Sequence, residues 1–132
     1  MLTRKEPLLI HELLNKFEEG DLSLLDLLSD DVDFRIDHYA DDADVGWQAC
    51  NNKQDFIAIL TRLTTDIFPQ GTKIMDMSSN ALKSGWYITI FEQQFFYGVK
   101  GIEVFSRTFI ISHEVDGKID YFREHVTEME YI

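Results

Sequence analysis

The chain has 132 residues, a net charge of −12 and one cysteine, and 45% of it is hydrophobic. That is enough apolar material for one folded domain of ordinary size. Twelve surplus negative charges oppose a nucleic-acid backbone or an anionic membrane, so neither is expected as a partner. A lone cysteine excludes an intrachain disulfide. No basic–apolar leader is read at the start, and no apolar run approaches the ~20 residues that span a bilayer. The expected setting is cytoplasmic.

In chain order, Pro7 suits a first helical turn. Leu9, Leu13 and Phe17, with Ile10 and Leu14, form a stripe at helical spacing that Gly20 stops. Asp21 is placed to cap a short second helix, "LSLLDLL". "DDVDFRID" alternates, with Val32, Phe34 and Ile36 on one side, as a half-buried strand does. From His38 to Asn52 no period is visible, and the stretch reads as a loop. Asn52 caps a third helix whose Phe56, Ile57, Leu60, Leu63 and Ile67 are expected to face inward, and Pro69 closes it.

The second half reads as strands: "TKIMDMSSNAL", then "WYITIFEQQFFY", then "IEVFSRTFIISHE", then the segment after Asp116-Gly117. Helices followed by a meander predict a single α+β domain over residues 1–132.

Most chemical motifs fail on spacing. "HELLN" lacks the second histidine of a zinc helix, because its fifth position is Asn15, and His11 reads as a helix-surface residue. Asp42, Asp44 and Gly46 do not reproduce a calcium loop, and Lys53 stands where a closing Glu is needed. There is no phosphate loop, no nucleophile elbow and no paired-cysteine site. Cys50, near Trp47, reads as a small buried residue. Neither a metal nor a cofactor is expected.

"DGKIDYFREHV", Asp116 to Val126, poses the main question. One face carries Phe122, Glu124 and Val126, and the other Tyr121, Arg123 and His125. Burying Glu124 unpaired costs several kcal/mol or forces it neutral, so elementary energetics leave both orientations open.

The order of elements, closed by "DGKIDYFREH", resembles the nuclear transport factor 2-like superfamily. Within it, the likeness is to SnoaL-like proteins and limonene epoxide hydrolases, whose matching stretch reads Gly-Lys-Ile-x-x-Trp-Arg-Asp-Tyr. The resemblance implies three N-terminal helices packed on a strongly curved antiparallel sheet, a cystatin-like α+β cone. It also implies that Phe122, Glu124 and Val126 point into the cavity. A three-residue turn, Val115 to Gly117, then sets Glu114 across from Lys118 and Thr108 across from Glu124. Ser106, Thr108, Ile110 and Ser112 share that inner face, while Tyr121, Arg123, His125, Phe109 and Ile111 share the outer one.

The resemblance is incomplete. Where the hydrolases hold an Arg, an Asp, a Tyr and an Asn, this chain places Phe91, Gln93 and, approximately, Phe34 and Ile36. The oxyanion-side acid of the related ketosteroid isomerases falls near Ile110. What survives is an aromatic pocket with Phe34, Phe91, Phe95 and Phe122 as candidate walls beside Val126 and Ile110. Gln93 and Thr108 are candidate ligand-orienting groups, and Glu124 is the candidate catalytic acid or base.

Two functions follow from the resemblance. One is a SnoaL-like protein that binds a small apolar molecule, with metal-free acid–base chemistry of the isomerase, cyclase or hydrolase type if it is an enzyme. The other is a non-catalytic association module working through its sheet face, in which the phenylalanines simply fill the core. A homodimer through the outer face, with Arg107 or Arg123 meeting acidic residues of the partner, is expected in both.

Overall fold

The computed structural model describes residues 8–38 and 49–131. Helix α1 (Leu9–Glu19) is followed by a 3-10 helix (Leu22–Leu27) and strand β1 (Leu28–His38). Then come a two-residue strand β2 (Ala49–Cys50) and helix α2 (Lys53–Arg62), which continues through a π turn (Leu63–Ile67). Four long strands complete the chain: β3 (Thr72–Ala81), β4 (Trp86–Tyr97), β5 (Ile102–Val115) and β6 (Lys118–Tyr131). The six strands described form one curved sheet in the order β2-β1-β6-β5-β4-β3.

The α+β architecture with a curved sheet is as expected, and three details differ. The "LSLLDLL" segment is a 3-10 helix, entered through Asp21, whose carboxylate accepts a hydrogen bond from the Ser23 amide at 2.9 Å. The third helix follows β1, as the order of segments predicts, with the short β2 between them, so only two helical segments stand N-terminal to the sheet rather than three. The sheet is not wholly antiparallel either, because β1 runs parallel to β6. Two strands so far apart in sequence can be parallel because the intervening chain makes the crossover.

The stretch from His38 to Asn52, read as a loop, contains β2, which pairs Cys50 with Phe34 and Ala49 with Arg35. Pro7, Asp42, Asp44, Gly46 and Trp47 lie outside the described residues.

Helix α1 buries Ile10, Leu13 and Leu14. It ends where Gly20 takes a left-handed φ of 70°, which leaves the amides of Gly20 and Asp21 free to close on the last turn. His11 is half-buried rather than a free surface residue. Its Nε2 lies 2.8 Å from Ser79 Oγ, which lies 2.7 Å from Thr89 Oγ1, and burial pushes its pKa down.

Helix α2 is capped by Asn52, whose side-chain oxygen accepts from the Asp55 amide at 2.7 Å. It buries Phe56, Ile59, Leu60, Leu63 and Ile67, whereas Ile57 is exposed. The i, i+3, i+4 and i+7 positions counted from Phe56 define the buried stripe, and Ile57 sits about 100° away from it.

The last hairpin decides which residues reach the interior. Asp116 and Gly117 form a two-residue turn, both with positive φ (54° and 75°), as a primed turn requires. Val115 therefore faces Lys118, and Glu114 faces Ile119, not Lys118 as expected. The register then shifts at Asp120, so His113 faces Tyr121, Ile110 faces Glu124 and Thr108 faces Val126. The shorter turn and the bulge each move the register by one residue. Either alone would turn Glu124 to the other face. Together they slide it two residues along and keep it inside. Asp120, the bulged residue, is held by His113 Nδ1 at 2.6 Å, and His113 Nε2 lies 2.9 Å from the Ser84 carbonyl.

Candidate functional site

Alternation along the three long strands aims one row from each at the concave side. From β4 come Phe91, Gln93, Phe95 and Tyr97; from β5, Ser106, Thr108, Ile110 and Ser112; from β6, Phe122, Glu124 and Val126. All of these are buried. Helices α1 and α2 close the concave side with Leu13, Leu14, Phe56 and Leu60. Between helices and sheet lies a cavity of about 80 Å³. At about 10–15 Å³ per water, it has room for roughly five to eight waters or a molecule with that many non-hydrogen atoms.

Of the residues expected at the site, Phe34, Phe91, Gln93, Phe95, Phe122, Glu124 and Val126 line this cavity. Thr108 and Ile110 are fully buried in the same row but do not line it. Thr108 does not meet Glu124. It faces Val126, and its hydroxyl donates to the Phe91 carbonyl at 3.5 Å.

The aromatic rings form two groups. Phe34 stacks on Phe122 with centroids 4.7 Å apart, and Phe56 meets Phe34 edge-on at the same distance. Farther along, Phe68 packs on Phe17 at 5.3 Å and on Phe95 at 4.4 Å, and Phe95 in turn contacts Tyr97. Phe17, Phe56, Phe68, Tyr97 and Met129 are cavity residues that were not expected at the site from the sequence, whereas Ser106 was expected on the inner face and lines the cavity. The parity that selects Gln93 also selects Tyr97, and the parity of Thr108 selects Ser106, so that signal was available. The helical stripes mark Leu13, Leu14, Phe56 and Leu60 as apolar, but not which residues of a stripe reach the cavity.

Glu124 is 8% exposed. Along β6 its inward neighbours are Phe122 and Val126, and across the sheet it faces Ile36 on β1 and Ile110 on β5. Among the described residues, no cation lines the cavity. Arg123 points to the outer face, where it pairs with Asp33 at 2.8 Å and lies 4.5 Å from the Tyr121 ring centroid. Removal from water, with no compensating charge, raises the Glu124 pKa from 4.5 to about 7. A carboxyl there is part neutral and part ionised near neutral pH, which is what a proton donor or acceptor needs.

Gln93 is 4% exposed, and its Oε1 accepts a hydrogen bond from Thr72 Oγ1 at 2.7 Å. Across the ladder it faces Ser106, 2% exposed, whose hydroxyl finds no hydrogen-bond partner among the described residues. The expected small buried Cys50 is only half-buried, at the outer edge of β2, and burial raises its thiol pKa.

This arrangement of helices and curved sheet recurs in solved structures. A nuclear transport factor 2-like protein from Anabaena variabilis superposes with a TM-score of 0.74, covering 97% of this chain and 96% of that one at 15% identity.

The chain has the nuclear transport factor 2-like fold.

Two further structures share this nuclear transport factor 2-like architecture. An epoxide hydrolase of M. tuberculosis, described as like limonene epoxide hydrolase, matches at a TM-score of 0.63 and 17% identity, over 89% of this chain and 79% of that one. A candidate polyketide cyclase of Xanthomonas campestris matches at 0.69 and 16% identity, over 89% and 86%. At these identities the likeness is one of fold. No family model and no curated protein matches the sequence. Among the described residues, no helix is long and apolar enough to cross a membrane.

Proposed function

We propose that this chain takes a small, neutral, mostly apolar molecule into the cone and that Glu124 exchanges a proton with it. The supporting observation is a buried carboxyl, without a counter-charge, at the wall of an apolar cavity. Among the described residues Glu124 is the one Asp or Glu that lines the cavity, so chemistry requiring paired carboxylates is not favoured. A single carboxyl titrating near neutrality suits proton removal from, or delivery to, a carbon or oxygen of the bound molecule. The neighbours named as an epoxide hydrolase and a candidate polyketide cyclase have the same fold, which supports a small-molecule role for the cavity.

A direct test is exchange of the α-protons of cyclohexanone with deuterated water, followed by NMR. The expected result is protein-catalysed exchange that rises through a midpoint near the Glu124 pKa and vanishes in Glu124→Gln. Exchange that persists in the variant, or that never exceeds buffer, would remove the acid–base role.

The outer face supports association of two copies. Ile90 and Phe109 lie opposite each other on adjacent strands, each 36% exposed, with Ile88 and Ile111 beside them. An isologous pairing of this face gives a homodimer. The arginines expected to reach a partner are engaged within the chain, Arg107 with Glu92 and Glu128 and Arg123 with Asp33. Apolar contact is therefore the main contribution this face offers. If the cavity takes no ligand, association through this face is the reading that stands.

A further inference from the structure

The polar groups of the cavity stand at two separate poles, and the second has its own binding chemistry. Glu124 faces Ile110 on β5, whereas Gln93 faces Ser106 on the same strand. Four residues of extended strand, about 13 Å, separate those two β5 positions. Each pole has its own aromatic group, Phe34 with Phe122 at the first and Phe95 with Phe68 at the second.

At the second pole two buried polar side chains are only partly satisfied. Thr72 occupies the Gln93 Oε1, which fixes the amide and leaves its NH₂ without a hydrogen bond among the described residues. The Ser106 hydroxyl has none either. Unsatisfied buried polar groups each cost free energy, which a bound partner of the right chemistry recovers.

We infer that Gln93 and Ser106, oriented by Thr72, form a binding pole for a neutral oxygen of the ligand, a hydroxyl, carbonyl or ether. The amide NH₂ donates to that oxygen, and the serine hydroxyl donates or accepts. A carboxylate or phosphate does not fit, because no lysine or arginine among the described residues lines the cavity to balance it. The molecule therefore has an apolar body, a neutral oxygen at this end, and at its other end the carbon or oxygen that exchanges a proton with Glu124. This rests on the reading that the cavity takes a small apolar molecule, and it adds the chemical class and the direction of binding.

Hexanol, hexane and hexanoate are probes of one chain length that separate these possibilities. Each is titrated into methyl-labelled protein, and its affinity is read from NMR shifts. Hexanol is expected to bind more tightly than hexane, and hexanoate most weakly. Ser106→Ala and Gln93→Leu are each expected to weaken hexanol roughly five- to tenfold, the worth of one hydrogen bond, and to leave hexane unchanged. Thr72→Val, a positioning change, is expected to weaken hexanol alone. Ser106→Ala is also expected to raise the denaturation midpoint of the ligand-free protein, because it deletes an unpaired buried hydroxyl. Equal binding of hexanol and hexane, unaffected by these variants, overturns the second pole and leaves the cavity reading intact. Preference for hexanoate overturns the neutral-ligand assignment. Failure of all three probes to bind overturns the cavity reading and the pole together.

Discussion

Replacing Glu124 with Gln tests the burial of this carboxyl through stability, without knowledge of any ligand. The amide has nearly the same shape but no proton to lose. In the wild type the unfolded chain releases the Glu124 proton near pH 4.5, while the folded chain holds it up to about pH 7. Between those values the folded state binds more protons than the unfolded state, so wild-type stability falls as pH rises. The slope from this group is about 1.4 kcal/mol per pH unit, and across the window it sums to roughly 3 kcal/mol. That stability is fully present below the unfolded pKa and lost above the folded one. The other titrating groups are common to both proteins and cancel in the difference. Urea denaturation of both, from about pH 4 to about pH 8, should therefore show the variant gaining on the wild type as pH rises. The gain should level off above neutrality at roughly 3 kcal/mol. Parallel profiles, or a gain toward acid pH, would refute the burial argument.

Gly98→Ala should destabilise the fold by about 1–3 kcal/mol in the same assay, because an added Cβ would clash with the Asp66 carbonyl oxygen of the π turn. An unchanged midpoint would mean that the packing of α2 on the β4–β5 link is looser than described. Asn52→Ala removes the cap of α2 and should cost about 1 kcal/mol, checked by urea midpoint, with a neutral result counting against the cap. If two copies associate through the outer face as proposed, Phe109→Asp should leave only monomer in sedimentation velocity while the circular dichroism stays unchanged, since the ring is on the exposed face. A wild type that is already monomeric at high concentration would refute the dimer.

The fold was legible wherever alternation and turn chemistry acted together. The bounds of β4 follow from its run of aromatic and β-branched residues between two turns, and Asp116-Gly117 marks the last hairpin. Gln93, Glu124, Phe122 and Val126 were legible because one face choice settles a whole strand, but the resemblance, not the alternation, made that choice. Pairing partners were not. The Asp120 bulge depends on a contact with His113, so no local pattern announces it, and Thr108 was expected one pleat away from where it pairs. The inward face survived because two one-residue shifts sum to an even number. A two-residue strand such as Ala49–Cys50 has no period to detect. Ile57 and Ile59 are equally apolar, and packing against the sheet, not composition, decides that Ile59 is buried. The parallel pairing of β1 with β6 is a property of topology. Thr72 became part of the site only through a hydrogen bond across neighbouring strands.

The central claim is that Glu124 is a carboxyl held in an apolar cavity and poised near neutrality. Its most direct test is a carbon-detected NMR titration of the Glu124 side-chain carboxyl, assigned by comparison with Glu124→Gln. The account predicts a single transition with a midpoint of about 7. A midpoint near 4.5, the ordinary glutamate value, would contradict it.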